Sequence, residues 1–146
     1  MIKVILLKKL TLKKPPSQKK FQTWVDQVTK TIPEKIPKNC REIGIAIIDK
    51  KTSAALNKTY RHKIGATNVL SFPYQAIPGI DSETLGDLAI CAELVERELQ
   101  WAHLTVHGVL HLLGYDHIEE NDANIMEALE ITILDKLGFE NPYKTV

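Results

Sequence analysis

The sequence predicts an α+β fold: one compact domain over residues 1–146, with a roughly four-stranded mixed sheet and helices on its faces. Three observations carry that prediction. Apolar residues switch between strand-like runs and a helical period in the order β-α-β-α-β-β-α-α. The chain has 146 residues, 44% of them hydrophobic, with no repeat, low-complexity tract or linker long enough to divide a core. Its last third is helical in period and holds three closely spaced histidines around a glycine, in "HGVLHLLGYDH".

The elements follow in order. "IKVILL" reads as a buried first strand. A helix through "PPSQKKFQTWVDQVTKTIP" puts Phe21, Trp24, Val25, Val28 and Ile32 on one face, with Ser17 as N-cap and Pro33 and Pro37 ending it. "EIGIAIID" is a second strand, after which Asp49 caps a helix through "KKTSAALNKTY" that delivers Arg61 into the next loop. "TNVLSFP" is a third strand, stopped by Pro73, and a loop with Pro78 and Gly79 leads to a fourth, "TLGDLAIC". From "AELVERELQWAHLTVHGVLHLL" the period is helical until Gly114 acts as C-cap. A last helix, "NDANIMEALEITILDKL", turns Ile125, Met126, Leu129, Ile133 and Leu137 inward and ends at Gly138. Met126, Trp24 and Trp101 read as core residues.

Composition narrows the function classes. No apolar run approaches the roughly 18 residues of a membrane span. "MIKVILLKKL" has no small-residue cleavage site after it and reads as a strand, not a leader. Cys40 and Cys91 stand far apart and outside any C-x-x-C pattern, as expected of reduced, buried thiols in a cytoplasmic protein. The net charge of +1 conceals a division: Met1 to Lys63 hold 16 of the 19 Lys and Arg but only 4 of the 18 Asp and Glu. A basic front beside an acidic back fits a polyanionic partner, although solvated surface lysines give the same count.

The histidines carry the chemistry. Residues four apart stack on one helix face about 6 Å apart, so His107 and His111 can converge on one metal ion. Gly114 can turn the chain back so that His117 adds a third nitrogen. Three protein nitrogens with one open position describe a catalytic zinc site, where a bound water's pKa falls toward ~7. His103 offers a competing pair with His107, but only the set of His107, His111 and His117 uses the turn; His103 then reads as a supporting or structural residue. The spacing is that of a zinc protease helix, but Gly108 stands where such enzymes place a glutamate base. Peptide hydrolysis is thereby disfavoured. A phosphodiester suits the site better, since its transition state gathers negative charge that a metal and an arginine can stabilise. For RNA, the substrate's own 2′-hydroxyl can serve as nucleophile.

"HGVLHLLGYDH" resembles the signature of the YbeY family, zinc-dependent endoribonucleases of ribosomal RNA maturation, at every specified position of H-G-x-L-H-L-x-G-Y-D-H. "LNKTYRHKIGATNVLSFP" is similar to the family's L-N-x-x-[FY]-R…T-[DN]-V-L-S-F-P segment, and "LGDLAIC" to its L-G-D-[IL]-x-I strand. The resemblance spans Leu56 to His117. It implies a zincin-like fold, a single Zn2+ on His107, His111 and His117, and a role in 16S rRNA 3′-end maturation and ribosome quality control. It also implies that Arg61 lies near the metal and serves catalysis or RNA binding; Arg61 and His107 are the expected catalytic residues. The partners it implies are precursor rRNA, the small ribosomal subunit, ribosomal proteins and an assembly GTPase. Two departures stand out: Ala66 replaces the family's usual Pro, and the segment before the histidine helix is shorter than usual.

Other residues read less sharply. Asp116 and Asp87 could each orient a ligand imidazole as a carboxylate behind it, or serve only turn and strand chemistry. Ser71 reads as a strand-end residue. Two rival functions use the same residues: a metallohydrolase of another substrate class, and a non-enzymatic ribosome assembly factor with structural zinc.

Overall fold

Strands β1 (Lys3–Lys9), β2 (Glu42–Ile48), β3 (Val69–Pro73) and β4 (Thr84–Cys91) are joined with helices α1 (Gln18–Thr31), α2 (Lys50–Arg61), α3 (Glu98–Leu112) and α4 (Glu120–Lys136) in the expected order. They are seen in a computed structural model that describes residues 1–11, 13–74, 78–79 and 82–144. β1 pairs parallel with β2, β2 parallel with β4, and β3 antiparallel with β4, giving one mixed sheet in the order β1-β2-β4-β3. The α+β class with a four-stranded mixed sheet is therefore found. The loop predicted around Pro78 and Gly79 falls partly outside the described residues, at 75–77 and 80–81.

Local signals placed the helices well. Ser17 caps α1 by accepting from the Lys20 N–H at 3.2 Å, and all five residues expected on its inner face are buried. Asp49 caps α2 by accepting from the Thr52 N–H at 2.8 Å. The Thr52 side chain and then its backbone N–H hold the Asp49 carboxyl below its usual range.

The sheet divides the core in two. One face carries Ile2, Val4, Ile43, Ile45, Leu88 and Ile90 into the main core with α1, α3 and α4. The other face packs Ile48, Leu70, Ala89 and Cys91 under Leu56 of α2. Trp24 and Trp101 each meet the Phe21 ring edge-on inside the main core, at 5.4 and 6.1 Å between centroids. Met126 is buried there too.

Four expectations are corrected. β1 is an edge strand: Val4 is buried, but Leu6 and Leu7 are 44% and 49% exposed, because only β2 flanks it. α3 starts at Glu98, later than its apolar period. A 3-10 turn, Ala92–Leu94, comes first, and the Gln100 side chain accepts from the N–H groups of Glu96 and Arg97 at 2.7 and 2.9 Å, fixing the helix start there. In α4, Met126 and Ile133 are buried and Leu129 and Leu137 pack against the core as expected, but Ile125 is 47% exposed, and Glu130 and Leu134 join the inner face. Cys91 is buried as expected but Cys40 is only half-buried; both thiols are free.

Candidate functional site

α3 sets His107 and His111 one turn apart, with ring centroids 4.6 Å from each other. The helix then ends in a Schellman turn: the Gly114 N–H donates to His111 O and the Tyr115 N–H to Leu110 O, both at 3.0 Å. Gly114 has φ +99°, a conformation that costs an L side chain roughly 1–2 kcal/mol. Asp116 tightens the returning chain, its carboxylate accepting from the backbone N–H of His117 at 2.6 Å and of Ile118 at 3.2 Å. The His117 ring thereby lies 5.3 Å from that of His107 and 4.9 Å from that of His111. One nitrogen from each of the three falls within 4.8 Å of the others. Three convergent imidazole nitrogens are a donor set that suits zinc. Burial, and then the neighbouring His107 and His117, push the His111 pKa down, which keeps its lone pair free for a metal.

His103 stands apart from that trio. Its Nε2 lies 2.8 Å from Glu130 Oε1, in a second group of His103, His107 and Glu130. Glu130 is fully buried and also faces His107 Nδ1 at 3.1 Å and accepts from the Tyr143 hydroxyl at 2.7 Å. Burial alone would raise its pKa, but hydrogen bonds from His103, His107 and Tyr143 outweigh it and hold the carboxyl at about 2. Burial and that carboxylate push the Tyr143 hydroxyl well up. Sequence reasoning missed both Glu130 and Tyr143. One signal was present: Glu130 falls in the same helical register as Met126, Ile133 and Leu134, where a lone carboxylate needs a partner.

The two carboxylates singled out from sequence are placed differently. Asp87 is exposed; it alternates with Leu88 and Ile90 and shares its side of β4 with Ala89 and Cys91, so it points to the α2 face of the sheet, away from the histidines. Asp116 is beside the histidines, and its Oδ1 accepts from two backbone N–H groups. Ser71 ties β3 to α3 through a long contact to Gly108 O, at 3.5 Å.

Arg61 is the last residue of α2, and its chain neighbours hold it at the cleft. His62 adopts the left-handed conformation, φ 56°, and ends the helix. Two buried polar residues of α2 then tie down the loop that follows. Asn57 Nδ2 donates to Gly65 O at 2.9 Å, while the Ser53 hydroxyl donates to Thr67 O and accepts from Thr67 N–H. The Tyr60 ring meets Phe72 edge-on at 5.2 Å, fastening the end of α2 to β3. Arg61, Lys63, Asn68, Ser71, Asp116 and the three histidines share a cleft of about 550 Å3. Arg61 enters none of the ion pairs among the described residues, so the surface salt bridge open to it from sequence is not formed. A further cleft, of about 670 Å3 near Lys9, Lys13, Asp49 and Glu93, gathers no trio of metal-ligating side chains among the described residues. Ser53→Ala should cost about 1–3 kcal/mol in urea unfolding, since it strands the Thr67 backbone groups. Equal stability would show that the loop holds without Ser53.

No helix among the described residues is long and apolar enough to cross a membrane. Residues 8–138 match the family model described as Endoribonuclease YbeY. A protein named Endoribonuclease YbeY from Coxiella burnetii is 51% identical over 138 residues, covering 88% of this chain and 90% of that one. One of the same name from Methylococcus capsulatus is 48% identical over 140 residues, covering 90% of this chain and 89% of its own. In fold, the chain is similar to the solution structure of TM1509 from Thermotoga maritima, with a TM-score of 0.55, 16% identity, and coverage of 97% of this chain and all of that one. With 131 consecutive residues matched and relatives at about half identity along nearly their full length, this chain belongs to the YbeY family of endoribonucleases.

Proposed function

We propose that this chain is a zinc-dependent endoribonuclease of 16S rRNA 3′-end maturation and ribosome quality control, built as one YbeY-like domain over residues 1–146. The observation that carries the reading is the meeting, in one cleft, of three imidazoles and a guanidinium that enters no ion pair among the described residues. His107, His111 and His117 would hold one Zn2+ ion. Bound there, zinc acts as a Lewis acid toward the charge that develops on the scissile phosphate.

The remaining work falls to the chain's own residues. Arg61 presents planar, paired donors that grip phosphate oxygens bidentately, and Lys63 adds a second cation on the same wall. Asn68 and Ser71 offer neutral polar groups to sugar or base. Asp116 spends its Oδ1 on the turn, and Gly108 has no side chain. The substrate's 2′-hydroxyl therefore fits as nucleophile. Of the lysine-rich front, the basic residues lining the cleft are Arg61 and Lys63. The other lysines serve long-range attraction, so affinity should fall as salt rises. The partners in this reading are precursor rRNA on the small ribosomal subunit, with ribosomal proteins and an assembly GTPase as guides, in the cytoplasm.

The test is cleavage of a defined precursor rRNA by purified protein of measured metal content. Cleavage should disappear with chelator, return with zinc, and fail on a substrate carrying 2′-deoxyribose at the scissile position. No cleavage at any metal loading would overturn the reading. Cleavage of the deoxy substrate would overturn the 2′-hydroxyl assignment alone.

A further inference from the structure

We infer that Glu130, locked in place by Tyr143 and His103, is a positioning residue that presets His107 for metal binding. The inference rests on the reading of His107, His111 and His117 as the metal centre. Glu130 is fully buried and both of its oxygens accept from the Tyr143 hydroxyl, so the carboxylate acts as the acceptor of this cluster. The ring nitrogen facing it, His107 Nδ1 at 3.1 Å, must then carry the proton. That choice leaves the lone pair of His107 on Nε2. A neutral histidine in water samples both tautomers, whereas this one is held in a single tautomer and ring orientation before any ion arrives.

The carboxylate is itself immobilised. Tyr143 reaches both of its oxygens, at 2.7 and 2.9 Å, and His103 Nε2 holds Oε1 at 2.8 Å. The His103 and Tyr143 rings stack edge-on at 5.2 Å. Tyr143 lies beyond the end of α4, so the C-terminal segment is latched to the same carboxylate that holds His107. Three donors on one buried carboxylate also argue against Glu130 as a ligand. Neither it nor His103 lines the cleft that His107, His111 and His117 share. A hydrogen-bonded carboxylate behind a ligand histidine raises its basicity and fixes its aim, and losing one typically weakens metal binding 10–100-fold.

The experiment measures zinc affinity by competition with a chromophoric chelator, below the unfolding temperature, for wild type, Glu130→Gln, Tyr143→Phe and His111→Ala. The His107 tautomer is read in the zinc-free proteins from 15N imidazole shifts, which a merely structural role would leave unchanged. Glu130→Gln should bind zinc about 10–100-fold more weakly and lose the single Nδ1–H tautomer. Tyr143→Phe keeps the carboxylate but loosens it, and should weaken binding in the same direction by a smaller factor. If Glu130→Gln does not fold, Tyr143→Phe decides, since its hydroxyl touches no ligand of the centre. Wild-type affinity and tautomer in the variants, with zinc lost in His111→Ala, would overturn the positioning role and leave the metal centre standing. Wild-type affinity in His111→Ala would overturn the centre and this inference with it.

Discussion

Arg61→Ala should lower kcat for cleavage of precursor rRNA about 10²–10³-fold while leaving zinc content and folding unchanged. The size is that of removing one preorganised group aimed at developing negative charge. The specificity follows from where Arg61 stands. It is the exposed last residue of α2, enters no ion pair among the described residues, and contributes nothing to either core cluster. Its loop is held by Ser53 and Asn57, so truncating Arg61 leaves the scaffold intact. Arg61→Lys should recover only part of the loss, because an ammonium is a point charge without the paired donors of a guanidinium. Single-turnover kinetics beside a metal assay would check this. Activity within a few-fold of wild type would remove Arg61 from the chemistry.

Gly108→Glu should fail to produce a peptidase and should instead unfold the protein or prevent its accumulation. This restores the residue that zinc proteases carry beside their first histidine, so the outcome separates two explanations of the glycine. A Cβ on residue 108 would lie 2.7 Å from Leu88 Cδ2 and 2.9 Å from Cδ1, and Leu88 is itself fully buried. α3 therefore approaches β4 through its own backbone at this point. A glutamate would put a carboxylate into that apolar contact, at a cost of several kcal/mol. Gly108→Ala isolates the steric part. Overpacking costs about 1–3 kcal/mol, against about 1 kcal/mol gained in helix propensity, so a net loss of about 1 kcal/mol is expected. Urea unfolding of both variants, with a peptide library on any folded fraction, gives the answer. A stable, soluble Gly108→Glu would show that the position faces the cleft after all. The glycine is thus more than a missing base. It is the surface on which the metal helix rests.

Features governed by near neighbours were legible in the chain. The caps at Ser17 and Asp49, the inner face of α1, the limits of β4 and the Gly114 turn all follow from bonds spanning a few residues. The histidine trio belongs with them, because a single helix and its turn carry all three rings. The tertiary structure alone decided which strand became an edge, which way Asp87 faced, and that Ile125 lay outward while Glu130 lay inward. Glu130 is one of several acidic residues in α4, 23 positions from His107, and only the docking of α4 on α3 distinguishes it. Ser53 and Asn57 look like ordinary polar helix residues until the loop folds back over them. The reason is the same in each case. Backbone propensity and capping act over one turn, whereas burial and hydrogen-bond partnership are set by segments that meet only after the sheet has ordered itself.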